Sequence, residues 1–112
     1  MEGFFVDEFD AVADKAYQNS VDKGFWEEGL TRNKGEMVAL IHSETSELLE
    51  AIRHDNPPDS HCPQFSSMEV ELADIVIRAM DFAAGFNLRL GEAIVAKMAY
   101  NATRPPKHGK KF

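Results

Sequence analysis

A chain of 112 residues, 44% hydrophobic and 28% charged, has the composition of one soluble domain with its own core and no need of disulfide or metal staples. Its net charge of −7 is unevenly spread: from Lys97 onward there are five Lys/Arg and no acid, so the preceding residues stand at −12. That division argues against a general nucleic-acid binder, whose positive charge lies over a broad face. No apolar run approaches the ~20 residues of a membrane span, and Cys62 alone allows no internal disulfide. The acidic opening MEGFFVDEFD, with no basic segment leading into an apolar one, gives a cytoplasmic expectation.

In chain order, residues from about Phe4 to Val21 place Phe5, Phe9, Val12 and Ala16 at helical spacing, and Gly24 breaks that helix. The short loop GFWEEGLTR holds the only tryptophan, Trp26, which suits either a plug at the core edge or a stacking surface for a ligand base. Asn33 with Glu36 resembles a capping box, so a second helix is predicted to run from there to about His54. Pro57 and Pro58 cannot continue it, and NPPDSHCPQFSS is a polar loop. Ser66 and Glu69 repeat the capping pattern and launch a third helix that Gly85 ends. Asn87 is placed to cap a fourth, from Leu88 to about Arg104, and Pro105 and Pro106 leave residues 105–112 as an extended basic tail. No alternating strand pattern is bounded by hairpin signals. The expectation is therefore all-α: a compact four-helix bundle in one domain over residues 1–112.

Two pairs of acids stand out. Glu44 and Glu47 share one face of the second helix, and Glu71 and Asp74 one face of the third, where Arg78 and Asp81 continue a polar stripe. The third helix is apolar around most of its remaining circumference, which suits a buried helix with a charged seam and makes a homo-oligomer the expected state. Glu44 projects between Met37, Ile41, Thr45, Leu48 and Ile52 on one side and Leu40 and Ala51 on the other, so it points inward. A carboxylate there is costly unless paired, protonated or bound to a cation. With Arg78 the single arginine on the facing seam, cations are expected from elsewhere. Four convergent carboxylates suit hard divalent ions such as Mg²⁺, which take carboxylate, phosphate and water oxygens. Such ions neutralise phosphate charge and activate a water for in-line attack, and a carboxylate can accept its proton.

Helix four supplies the complement. Lys97, Asn101 and Arg104 fall within about 60° of one another on a helix, and Lys107 and Lys110 follow on the tail. These residues suit either substrate phosphate or a helix C-terminus, where cations are favoured by the dipole. No histidine stands three residues after a glutamate, as a di-iron carboxylate bundle requires. A Gly-rich phosphate loop and a nucleophile elbow are also missing.

The segment ETSE over residues 44–47, 23 intervening residues and ELAD over residues 71–74 resemble the paired ExxE and ExxD signature of the MazG-like all-α nucleoside triphosphate pyrophosphohydrolases. The stretch KMAYNATRPPKHGKKF from Lys97 resembles the Lys-x-x-x-Asn element and basic tail of small members, and the likeness extends over residues 26–112. The resemblance implies hydrolysis of a (deoxy)nucleoside triphosphate between the α and β phosphates, releasing monophosphate and pyrophosphate in nucleotide-pool house-cleaning. It further implies Mg²⁺, with Mn²⁺ as a substitute, on Glu44, Glu47, Glu71 and Asp74. Lys97 and Asn101 match positions that contact nucleotide and Trp26 a loop aromatic of some members, in a homodimer or dimer of dimers; Arg104, Lys107 and Lys110, from the basic face and tail, are expected to join them in binding substrate. A helical nucleotide-binding or protein-interaction module with little turnover is the alternative.

Overall fold

The computed structural model describes residues 2–112 and contains four α-helices: α1 (Glu2–Asp22), α2 (Lys34–Arg53), α3 (Ser67–Gly85) and α4 (Leu90–Ala102). Short 3₁₀ turns occupy Gly29–Thr31 and Pro106–Gly109, and no strand occurs among the described residues. The all-α expectation holds. No helix is long and apolar enough to cross a membrane.

Three of the helices end in the same way. In each, a residue at positive φ (Gly24, Asp55 or Asn87) lets the chain fold back so that two amides reach the last turn's carbonyls. After α1, Gly24 N donates to Val21 O (3.0 Å) and Phe25 N to Ser20 O (3.1 Å). After α2, Asp55 N donates to Ile52 O (3.1 Å) and Asn56 N to Ala51 O (2.7 Å). After α3, Asn87 N donates to Ala84 O (3.2 Å) and Leu88 N to Ala83 O (2.8 Å). These are Schellman closures, for which Asn and Asp are the usual substitutes when Gly is absent. Asn87 therefore closes α3 and does not cap α4, which begins two residues later than expected with Arg89 in the uncapped first position. At the far end α4 stops at Ala102, because Arg104 precedes a proline and is steered away from helical geometry. Nor is the tail extended. It curls at Pro106–Gly109, with Lys107, His108 and Gly109 all at positive φ.

At their N-termini α2 and α3 start where the capping residues place them. Asn33 Oδ1 accepts from Glu36 N (3.0 Å), and Ser66 Oγ accepts from Glu69 N (3.2 Å) while Glu69 Oε1 accepts from Ser66 N (3.1 Å). The full reciprocal box forms at Ser66. Bonds from the backbone amide and then the hydroxyl of Ser66 hold the Glu69 carboxyl below its ordinary range. The α2–α3 loop is likewise tied down: Asn56 Oδ1 accepts from Met68 N (2.8 Å), and Pro57 O accepts from Ser67 N (2.8 Å) and Oγ (2.6 Å).

Helix α3 is the hub, packed against α1 on one side and α2 on the other, while α4 lies mainly on α1. The result is not the compact bundle expected. The radius of gyration is 16.2 Å, against about 13 Å for a globular chain of this length. Among the described residues only Ala13, Trp26, Met37, Ala51, Met80 and Ala83 are buried apolar residues. On α1 the buried line runs through Phe9, Ala13, Ala16 and Tyr17, leaving Phe5 and Val12 exposed. On α2 it runs through Met37, Leu40, Ile41, Glu44, Leu48 and Ala51, so Glu44 is inward as expected while Thr45 and Ile52 face out.

Trp26 locks the α1–α2 connection onto α3. It is 8% exposed, stands edge-on to Tyr17 and Phe86 (centroids 5.3 and 5.2 Å apart) and lies against Gly85. A methyl group at Gly85 would overlap the Cη2 and Cζ2 atoms of the indole. Gly85 is thus required by contact with an aromatic ring, and the chain reversal is performed two residues later. We expect Gly85→Ala to destabilise the fold by about 1–3 kcal/mol, as overpacking of a filled site does, despite alanine's better helix propensity. Gly3→Ala, where no atom stands near the added methyl, should be neutral or slightly stabilising. Paired urea melts measure both, and equal stability of the two variants would contradict the packing account.

Candidate functional site

The facing positions of α2 and α3 bring Glu44, Glu71 and Asp74 together. Each offers a carboxylate oxygen, and the three oxygens lie within 4.8 Å of one another. Glu47, one turn beyond Glu44, is exposed and stays outside this group. Three of the four expected carboxylates therefore converge, and the fourth stands at the rim. Its charge still reaches Glu71.

Burial is the main cause that raises the Glu71 carboxyl above its ordinary range, followed by the charges of Asp74, Glu44, Glu47 and Asp59. Asp74 is raised for the same reasons, burial first and then Glu44, with Arg78 pulling the other way. Arg78 does more than expected of it. Its Nε donates to Glu44 Oε1 at 2.9 Å, and the two side chains are 37% and 15% exposed. The cation that Glu44 needs thus comes from within the seam, four residues after Asp74.

Beside this cluster opens a cavity of about 330 Å³. Ala16, Asn19 and Ser20 of α1 line it, with Lys23, Phe25 and Arg32 of the loop, Glu44 of α2, and Asp74, Ile77, Arg78 and Asp81 of α3. Its walls carry three cations and three acids. Asn19, Lys23, Phe25 and Arg32 are not among the expected site residues. Only Asn19 carries a signal in the sequence: past Ala16 the cavity-facing side of α1 continues in Asn19 and Ser20, where a core helix would remain apolar.

Asp81 closes the far end and is a structural node. Its Oδ1 accepts from Trp26 Nε1 (2.8 Å) and its Oδ2 lies 3.5 Å from Arg32 Nη1, both charged side chains being 13% exposed. The Arg32 guanidinium lies over the indole at 4.7 Å from the ring centroid. Trp26 is accordingly a core residue enclosed by its neighbours, and it is Phe25, exposed at the mouth, that presents an aromatic surface to the cavity.

The chain matches no family model, no curated protein and no solved structure.

The expected basic face is elsewhere. Lys97 and Arg104 both approach the Tyr100 ring, at 4.8 and 5.7 Å from its centroid, and Asn101 Oδ1 is buried without a hydrogen-bond partner. No α4 residue lines the carboxylate cavity, and Lys107 and Lys110 are exposed in the terminal turn. Within one chain these residues and the carboxylates do not meet.

Two outcomes test this geometry. Asp81→Ala strands the indole N–H and Arg32 together, and should lower stability by roughly 2–4 kcal/mol in a urea melt; a neutral effect would remove Asp81 as the node. Because Glu71 and Asp74 titrate above their unfolded values, the folded chain holds more protons over that interval. Their contribution to stability therefore falls as pH rises through the ordinary carboxylate range and the raised one, and stays low above it. In EDTA, Glu71→Gln should consequently melt above the wild type at pH 7, with the gap closing as pH drops below the ordinary glutamate value of 4.5. A gap independent of pH would contradict the assigned repulsion.

Proposed function

We propose that this chain is a divalent-metal-dependent nucleoside triphosphate pyrophosphohydrolase of the MazG-like kind, cleaving (deoxy)nucleoside triphosphates between the α and β phosphates in nucleotide-pool house-cleaning. The observation that carries the reading is the convergence of Glu44, Glu71 and Asp74 from two helices onto one cluster, beside a cavity walled by Lys23, Arg32 and Arg78. Acids alone would repel a polyphosphate and cations alone would not need half-buried acids beside them. Their combination suits a ligand that carries both.

The donor set fits Mg²⁺ or Mn²⁺. All three groups are hard carboxylate oxygens, and their 4.8 Å spread is slightly more than the ~4.2 Å between opposite corners of a Mg²⁺ octahedron with bonds of 2.0–2.1 Å. A small rotation of one side chain closes that difference. Positive charge here also relieves the desolvation and mutual repulsion that hold Glu71 and Asp74 above their ordinary range. When bound, the metal would supply phosphate neutralisation and an acidified water. The chain's own part is to hold: Glu44, Glu71 and Asp74 grip the metal, Glu47 stands at the rim as an outer acceptor, and Lys23 and Arg32 meet phosphate oxygens.

The reading includes a homodimer or dimer of dimers. Leu72, Val76 and Ile77 of α3, and Val38, Leu49 and Ile52 of α2, are exposed while Glu71, Asp74, Arg78 and Asp81 of α3 are half-buried. Those uncovered residues favour a second copy as the missing cover. In this reading the face formed by Lys97, Asn101 and Arg104 meets substrate only in the assembly.

The test is a panel of ribo- and deoxyribonucleoside triphosphates with Mg²⁺, scoring pyrophosphate separately from orthophosphate. We expect pyrophosphate and monophosphate as direct products, and a loss of at least about a hundredfold in kcat/KM for Asp74→Asn, the upper end of what loss of an outer-sphere metal partner costs. Orthophosphate as the direct product, or no turnover across the panel, would overturn the reading.

A further inference from the structure

The Glu44–Arg78 pair bears on how the site is loaded. Glu44 lies in the buried line of α2, and the 2.9 Å bond from Arg78 Nε is the charge-assisted contact that offsets its burial. Any cation that takes Glu44 as a ligand competes with that guanidinium for the same carboxylate and is repelled by it. Arginine is not deprotonated in proteins, so it cannot relieve the conflict by losing its proton. It can relieve it only by moving. The side chain is 37% exposed, so it has room to do so. Among the described residues its one side-chain hydrogen bond is the one to Glu44, which leaves its remaining donors uncommitted. It also lines the 330 Å³ cavity, as Lys23 and Arg32 do. A planar fork of donors facing such a space matches a phosphate group in a way the ammonium of a lysine does not.

The geometry points to Arg78 as a residue with two positions: it neutralises Glu44 while no divalent cation is held there, and turns into the cavity to grip a substrate phosphate once one is. The inference rests on the pyrophosphohydrolase reading and adds an order of events to it. Arg78 weakens binding of the metal alone and strengthens binding of phosphate in the metal's presence. Metal and polyphosphate are thereby coupled through one side chain, and each binding event supplies what the other removes. The resting pair also keeps α2 and α3 in register, so the carboxylates stay gathered without a cation between them.

Titration calorimetry on the full chain separates the two halves. With Mn²⁺ alone as the probe, Arg78→Gln should bind about tenfold more tightly than the wild type, since a unit charge a few ångströms from the ion is removed. With Mn²⁺ saturating and an α,β-methylene nucleoside triphosphate as the probe, the same variant should bind about tenfold or more weakly, the loss expected for one charge-assisted contact. Arg78→Lys, which retains the charge and the pairing with Glu44 but loses the fork, should keep Mn²⁺ affinity within about threefold of wild type and still lose analogue affinity. Arg53→Gln, an exposed arginine paired with Glu50, should change neither titration. Circular dichroism melts establish that each variant is folded. Unchanged or weaker Mn²⁺ binding by folded Arg78→Gln overturns the proposal, and wild-type analogue affinity in Arg78→Lys overturns its phosphate half even if the glutamine variant does not fold. Absence of Mn²⁺ binding in wild type and every folded variant would defeat the metal reading of the site itself. Mn²⁺ binding by wild type with no response to Arg78 would defeat this inference alone.

Discussion

A carboxylate on the buried side of a helix must have a positive partner, and the placement of Glu44 between Leu40, Ile41, Leu48 and Ala51 imposes that requirement on everything around it. Arg78 meets it from α3, which fixes how α2 and α3 face one another. Once that pair is set, Asp74, one turn earlier on α3, and Glu71, one turn earlier still, are carried to the same place. The acids cluster because one of them is anchored. Burial first, and then the repulsion of neighbouring acids, raises Glu71 and Asp74 above their ordinary range.

The second anchor is Trp26. Its ring edge meets Tyr17 and Phe86, its N–H is accepted by Asp81, and its surface lies on the bare backbone of Gly85. These contacts hold the α1–α2 loop against α3, and they are what bring Arg32 and Phe25 to the cavity wall. Helix α3 thus meets both Glu44 from α2 and the cations Lys23 and Arg32 from the loop. Structural and candidate-site residues share α3 in succession: Asp74 and Arg78 line the candidate site, and Asp81 and Gly85 on the following turns belong to the packing.

What the amino-acid sequence discloses follows the range of each interaction. Ser66–Glu69 and Asn33–Glu36 act over three residues, so the starts of α3 and α2 can be read directly. The inward aim of Glu44 follows from helical period alone. Asn87 misleads because asparagine serves equally as an N-cap and as a left-handed closing residue, and only the backbone distinguishes them. The Trp26–Asp81 bond spans 55 residues, and no local pattern announces it; the same is true of the convergence of Lys23 and Arg32 on Arg78. Exposure of Phe5 and Val12 is equally hidden, since period identifies an apolar face without saying whether this chain or another covers it. Glu47 shows the converse limit. Sharing a helix face with Glu44 is insufficient when one more turn carries it past the edge of α3.

Because Trp26 is the only tryptophan in the chain, the contacts that hold it also give the protein a built-in optical probe. The indole is enclosed, donates its N–H to Asp81 and lies under the Arg32 guanidinium, so its fluorescence is set by a handful of identified neighbours. Release of the loop would move the emission to the red by admitting water. A rearrangement of Arg32 or Asp81 at the cavity wall would alter the intensity with little change in wavelength. A single intrinsic chromophore therefore separates unfolding of the loop from events in the cavity, without any label attached to the chain.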